Sequence, residues 1–260
     1  MLQYIRILDY NIPIYGLFAL VGIVAFWGLA SLRTKHFELV SEDVFHVTLY
    51  AVIGAILGSK FLYWITILPW IIENFSLIIS DRDIAMSLLT QGLVFYGGLI
   101  GGFLMCLWYL RRYKLNVLLY ADAMIPGIGL FHFFGRIGCF ISGCCYGMPW
   151  KLGIAYPAEH VSMGVPLFPV QLVEAVGNLF LCGILCVLSK RWKGSGLTIP
   201  AYGLGYGTMR FVLEFFRGDT VRGQLLWLST SQWISLIIVI GSIWFIVRFI
   251  GAKKNRCTVV

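Results

Sequence analysis

Apolar stretches of roughly 18 to 22 residues recur along this chain, and as helices each is long enough to cross about 30 Å of hydrocarbon. Their limits fall near Ile12 to Leu32, Phe45 to Leu68, Leu93 to Leu110, Val117 to Ile137, Val170 to Leu188, Ile199 to Phe216 and Ser229 to Ile250. They predict an all-α, polytopic integral membrane bundle of about seven transmembrane helices. A single domain over residues 1–260 is expected, with outer loop segments near 69–91 and 148–169. Composition agrees: hydrophobic residues make up 59% and charged residues 12% of the 260, whereas soluble domains carry about twice that charged share.

Lys and Arg orient such a bundle, because cytoplasmic loops retain them. Arg33 and Lys35 follow the first stretch, Arg111, Arg112 and Lys114 the third, Lys190, Arg191 and Lys193 the fifth, and Lys253, Lys254 and Arg256 the seventh. Odd-numbered helices therefore end inside, which puts the N-terminus out and the C-terminus in. The first stretch has only Arg6 before it, offset by Asp9, and no small-residue cleavage site after it, so it is expected to remain as a span. Trp64, Trp70, Trp150 and Trp227 then fall near the outer boundary, as an aromatic belt does. The net charge of +8 reads as this topology signal plus attraction to anionic lipid. No basic groove or base-stacking motif accompanies it, so no nucleic-acid partner is expected.

Six charges do not fit an apolar bundle. Lys60 lies late in the second stretch, Arg136 late in the fourth and Glu174 early in the fifth, while Arg210, Glu214 and Arg217 close the sixth. In the predicted orientation all of them fall in the outer half. A charge at mid-membrane costs about 2.5–3.5 kcal/mol on insertion scales, so such a set must face protein or water and find partners. Helical spacing puts Arg210, Glu214 and Arg217 on one face, Gln171, Glu174 and Asn178 on another, and His132, Arg136, Cys139 and Gly143 on a third. Arginine grips phosphate with a forked, permanently charged group. A cavity with excess fixed positive charge near the outer leaflet suits an anionic phospholipid headgroup, which the protein binds or transforms.

Phe134-Gly135-Arg136-Ile137-Gly138-Cys139-Phe140-Ile141-Ser142-Gly143 resembles the signature of the prolipoprotein diacylglyceryl transferase family, Gly-Arg-(Ile/Leu)-Gly-Asn-Phe-x-Asn-Gly. Tyr15-Gly16 resembles its early Tyr-Gly, Gly58-Ser59-Lys60 its Gly-Gly-Arg, and Tyr96-Gly97-Gly98-Leu99-Ile100-Gly101 its His-Gly-Gly-Leu-Ile-Gly. Pro169-Val170-Gln171-Leu172-Val173-Glu174 resembles Pro-Ser-Gln-Leu-Tyr-Glu, and Gly205-Tyr206-Gly207 through Arg210 and Glu214-Phe215-Phe216-Arg217 resembles the final motif. The matches run in family order over nearly the whole chain. The resemblance implies a multi-pass enzyme of the bacterial cytoplasmic membrane, monomeric and without metal or other cofactor. It would move the diacylglyceryl group of phosphatidylglycerol onto a cysteine of a lipoprotein-precursor peptide. Arg136, Arg210, Glu214 and Tyr96 would be catalytic, the two arginines gripping phosphate and Glu214 positioning Arg210 or a water. Tyr15, Lys60, Gly97, Gly98, Cys139, Gly147, Gln171, Glu174 and Arg217 would bind substrate.

The chain departs from the family at three points: Tyr96 and Phe168 stand where histidines are usual, and Cys139 replaces the signature asparagine. Tyrosine, with a reference pKa of about 10, is a weak base unless perturbed. The proton acceptor therefore stays open between Tyr96, Glu214, His132 and an acceptor thiol already ionised near the arginines. A different acceptor (glycan, lipid or water) and a non-catalytic lipid-binding or transport role stand as alternatives; transport predicts polar residues through the inner half, where Asp122 is the main one. Cys139, Cys144 and Cys145 with His132 invite a zinc reading, yet C-x4-C-C fits no standard pattern and adjacent cysteines rarely reach one ion. Packing thiols are the default expectation, with a lipid-carrying nucleophile as the alternative.

Overall fold

The computed structural model of the chain describes residues 4–7, 10–90, 92–157, 162–218 and 224–257. Asp9, Gln91 and residues 158–161 of the second predicted outer segment lie outside that set. Strands β1 (Tyr4–Ile7) and β2 (Tyr10–Pro13) form a hairpin ahead of helix α1 (Ile14–Phe37). Helices α2 (Ser41–Thr66), α3 (Leu68–Glu73), α4 (Phe75–Ser80), α5 (Arg82–Thr90), α6 (Phe95–Arg112) and α7 (Val117–Ser142) follow. Next come β3 (Pro149–Ala155), β4 (Pro166–Leu167), α8 (Val170–Arg191), α9 (Thr198–Glu214), β5 (Gln224–Leu225), β6 (Leu228–Ser229) and α10 (Thr230–Cys257).

Each of the seven predicted stretches is a helix. Among the described residues, α1, α2, α7, α8 and Thr230–Gly251 of α10 are long and apolar enough to cross a membrane, and α5 with α6, bent by 59°, makes a sixth candidate. Helix α9 stops at 17 residues. The protein is thus mostly helical and polytopic. Boundaries moved for physical reasons. Pro13 is extended at φ −66°, ψ 126° as the last residue of β2, and a proline disfavours helical backbone at the residue before it, so α1 starts at Ile14 instead of Ile12. At the other end α1 runs on through Arg33 and Lys35, both good helix formers, until Glu38 turns left-handed at φ 55° and its N–H reaches Thr34 O.

The described residues divide into two compact units, one of Met1–Glu38 with Leu118–Val260, the other Leu39–Val117. In the first unit, helices packed side by side run antiparallel: Gly22 and Gly138 bring α1 against α7, Gly129 brings α7 against Asn178 and Cys182 of α8, Gly177 and Gly205 join α8 to α9, and Gly203 and Gly207 join α9 to α10. Polarity is inverted relative to a soluble core. Asp122, Gln171, Glu174 and Asn178 have no solvent exposure, while Leu20, Phe180, Ile237, Trp244 and Val247 are exposed. Hydrocarbon accepts such a surface, provided every buried polar group is satisfied from within.

One end of this unit is closed by a polar clasp. Arg33 is not the solvent-facing loop charge expected from topology: its Nε donates to Ala123 O at 2.8 Å, Nη1 to Cys186 O at 3.2 Å, and Nη2 to Asp122 O and Ser189 Oγ. Asp122 accepts from Gly196 N at 2.9 Å, from Thr198 N at 3.2 Å and from the Thr198 hydroxyl. The carboxylate therefore holds the turn between α8 and α9.

In the second unit α2 and α6 pack antiparallel through glycines. A Cβ on Gly58 would stand 2.3 Å from Gly97 O, and one on Gly97 would stand 2.3 Å from Gly58 O. Such close approach is open only to residues without side chains. Lys60 Nζ lies 5.1 Å from the Tyr63 ring centroid, and the predicted outer segment near 69–91 folds into the short helices α3 to α5.

Candidate active site

Antiparallel packing brings the C-terminal ends of α7 and α9 and the N-terminal end of α8 to one end of the first unit, opposite the Arg33–Asp122 clasp. There Arg136 Nη2 lies 2.7 Å from Glu174 Oε1, and Arg210 Nη1 lies 3.6 Å from Glu174 Oε2. Arg210 Nη2 is also 2.9 Å from Glu214 Oε2, which lies 3.9 Å from Arg217 Nε. The five side chains alternate in sign from α7 to beyond α9. Three guanidiniums against two carboxylates leave one positive charge over. Arg136 is the most exposed member at 19%, whereas the Glu174 side chain is at 0%.

Neighbouring groups fix the carboxylates. Tyr206 donates its hydroxyl to Glu174 Oε1 at 3.3 Å, and Ser229 donates to Glu214 Oε1 at 2.9 Å. One layer deeper, the Tyr202 hydroxyl is 2.7 Å from His132 Nδ1 and 3.4 Å from Asn178 Oδ1, while Asn178 Nδ2 donates to Glu174 O at 2.8 Å. Tyr202, Tyr206, Arg210 and Glu214 recur every four residues and line one face of α9.

The loop after α7 is tied on both sides. Gln171 Nε2 donates to Cys144 O at 2.8 Å and to the Tyr156 hydroxyl at 3.0 Å. Burial pushes the Tyr156 phenol above its ordinary value, and the Gln171 hydrogen bond opposes that shift. Gly218 N donates to Tyr146 O, Met148 N to Phe216 O and Phe168 N to Met148 O. A Cβ on Gly147 would meet Phe168 O at 2.3 Å and Phe216 O at 2.9 Å, so this position takes only glycine. Gly147 pairs with Arg217 across an antiparallel bridge. Arg217 therefore lies past the end of α9, and the bridge, rather than the predicted helical stripe, holds it.

The family model described as prolipoprotein diacylglyceryl transferase matches residues 3–248. The chain belongs to the prolipoprotein diacylglyceryl transferase family. It is 37% identical over 232 residues to phosphatidylglycerol--prolipoprotein diacylglyceryl transferase 2 of Clostridium perfringens, spanning 88% of each chain. It is 34% identical over 236 residues to the phosphatidylglycerol--prolipoprotein diacylglyceryl transferase of Clostridium tetani, 89% of this chain and 91% of that one. The like-named protein of Idiomarina loihiensis is 31% identical over 253 residues, 94% of this chain and 90% of the relative.

In this member of the diacylglyceryl transferase family, the motif residues Arg136, Gln171, Glu174, Arg210, Glu214 and Arg217 gather at one end of the first unit, with Gly147 in the tied loop. Tyr15, in the first turn of α1, is within electrostatic reach of Arg136 and Cys139. Lys60, Tyr96, Gly97 and Gly98 belong to the second unit. There Gly97 and Gly98 are buried against α2, and Tyr96 is exposed beside Phe95. Sequence reasoning gave no role to Tyr202, Tyr206 or Ser229. The two tyrosines had a signal, their four-residue spacing to Arg210; Ser229 had none, since β6 brings it to Glu214 from outside any helix.

Proposed function

We propose that this chain is a phosphatidylglycerol-dependent diacylglyceryl transferase that modifies a lipoprotein-precursor cysteine at the outer face of the bacterial cytoplasmic membrane. One observation carries the reading: the partly open Arg136 at the head of a buried, alternating chain whose net charge is positive. A phosphodiester completes that charge balance. Family membership supports the identity of donor and acceptor, since the relatives are named for phosphatidylglycerol and prolipoprotein. The arrangement of basic residues supports seven spans with the N-terminus outside and the C-terminus in the cytoplasm. The five charged residues pair with one another within one chain, so the site asks for no residue from a second copy.

In the reaction the precursor thiolate attacks the diacylglyceryl carbon bonded to the phosphate oxygen. A carbon–sulfur bond forms, the carbon–oxygen bond breaks, and its electron pair leaves on glycerol phosphate. Arg136 and Arg210 meet the charge developing on that leaving group, which preorganised cations do best. Glu214 holds Arg210 in place, and Arg217 and Glu174 keep the chain of charges in register. Tyr15 contacts the headgroup, and Tyr96 and Lys60 enter through the motif resemblance alone; the thiol proton goes to Glu214, to His132 or to Tyr96, the last only as a phenolate, unless the thiol is already ionised beside the arginines. Gln171 and Gly147 hold the loop beside the lipid, and Cys139 replaces an asparagine that would face it.

The test is purified protein with labelled phosphatidylglycerol and a cysteine-bearing precursor peptide. Lipidated peptide and free glycerol phosphate in equal amounts are expected. Intact lipid binding without transfer to the peptide would overturn the reading.

A further inference from the structure

Three thiols outside the arginine–carboxylate chain are drawn together where α7 ends. The sulfurs of Cys139, Cys144 and Cys145 all lie within 4.8 Å of one another. Cys139 is buried, Cys145 half-buried and Cys144 exposed. Adjacent cysteines on an extended chain point to opposite sides, which is why the spacing alone reads as no metal pattern. Here Gly143 at φ 75° and Cys145 at φ 60° are both left-handed, and they turn the chain back on itself. For a non-glycine residue that conformation costs about 1–2 kcal/mol and persists only where the surroundings hold it. They do so here through Cys144 N on Cys139 O at 3.1 Å, Gln171 on Cys144 O at 2.8 Å and Gly218 N on Tyr146 O at 3.1 Å.

We propose that Cys139, Cys144 and Cys145 form a three-thiolate site for a thiophilic d10 metal ion, Zn2+ or Cu+. Three thiolates bound to one ion at about 2.3 Å place their sulfurs about 4 Å apart, so the spacing present needs no more than about 1 Å of closing. Each sulfur–metal bond forms from a thiolate lone pair, and each thiol proton is released to solvent. Soft sulfur ligands select these ions over the harder divalent cations. Such a site also needs cations nearby to balance three thiolates. Arg217 hydrogen-bonds Cys145, and Arg136 is within electrostatic reach of Cys139 and Cys145. Zn2+ would keep a fourth position open to solvent or substrate, whereas Cu+ is satisfied by the three sulfurs.

The proposal stands independently of the transferase reading, because its test reads binding and not turnover. Reduced, chelator-treated full-length protein in detergent is titrated separately with Zn2+ and Cu+, and retained metal is counted after desalting. One equivalent of at least one ion is expected, lost in Cys139→Ser, Cys144→Ser and Cys145→Ser and kept in Cys106→Ser. Should a serine variant fail to fold, the unmodified protein still decides: ion loading is expected to block alkylation of the exposed Cys144. Retention of neither ion, retention unchanged in all three folded serine variants, or alkylation of Cys144 unaffected by loading would each overturn the site. So would a disulfide within the cluster as purified, with no ion taken up after its reduction.

Discussion

Arg136 and Arg210 reach one carboxylate from different helices, with Glu174 Oε1 at 2.7 Å from the first and Oε2 at 3.6 Å from the second. Glu174 is fully buried, so it cannot be replaced by water. Removing one partner of a buried pair leaves an uncompensated charge and costs about 3–5 kcal/mol. Glu174→Gln is expected to lose stability of that order in detergent, seen as a lowered unfolding midpoint, and to suppress transfer. Because an anion can take the missing charge, added glycerol phosphate is expected to raise the variant's midpoint more than the parent's. Equal ligand shifts in both proteins would argue that Glu174 is packing alone.

Tyr96 stands where a histidine is usual in the family, in the first turn of α6 and half exposed. General-base groups contribute about 10²–10⁴-fold. Tyr96→Phe keeps the ring and removes the hydroxyl, so turnover is expected to fall at least about a hundredfold with lipid affinity unchanged. Tyr96→His, which restores the residue usual in the family, is expected to retain activity. If Tyr96→Phe turns over like the parent, the proton goes elsewhere.

Helices were legible because runs of apolar residues have one solution in lipid, and the charge cluster was legible because helical spacing put five of the six misplaced charges on shared faces, whereas Lys60 belongs to the other unit. What escaped was set by contacts distant in sequence. Arg33 read as a loop charge and Asp122 as an exception until α1, α7 and α8 were brought together with the turn before α9. That the sulfurs of Cys139, Cys144 and Cys145 come together was not legible, because spacing carries no information about two left-handed residues in a turn. Arg217 read as part of a helical face, although a bridge to Gly147 is what places it.

The motif resemblance puts Gly97 among the substrate-binding residues, and the α2–α6 contact gives it a packing role that can be measured. A methyl at Gly97 would meet the backbone oxygen of Gly58 at 2.3 Å, which no side-chain rotation relieves. Gly97→Ala is expected to cost at least about 1–3 kcal/mol, the range for overpacking, and to lower the unfolding midpoint. Gly28→Ala, with nothing within 4 Å of the new methyl, is expected to be neutral or stabilising because alanine is the better helix former. Equal midpoints for the two variants would mean that α2 and α6 can part without loss.

Two carboxylates near the basic ends of the helices should differ sharply in what they contribute. Asp122 is fully buried and takes charge-assisted hydrogen bonds from Gly196 and Thr198, of a kind worth about 1.5–3 kcal/mol each. Asn in its place has one acceptor oxygen and turns an N–H2 towards a donor. Glu38, by contrast, is fully exposed, and the hydrogen bond from Lys193, with that ammonium's charge, holds its carboxyl below the usual range. Stability from a depressed carboxylate is present above its unfolded value and is lost as pH falls through the folded one, and at an exposed site solvent screens most of it. Asp122→Asn is therefore expected to lower the unfolding midpoint in detergent at neutral pH, whereas Glu38→Gln leaves it unchanged and leaves its acid dependence unchanged. The outcome that contradicts this account is a Glu38→Gln protein as unstable as Asp122→Asn, since a screened surface pair would then be doing what only a buried carboxylate can.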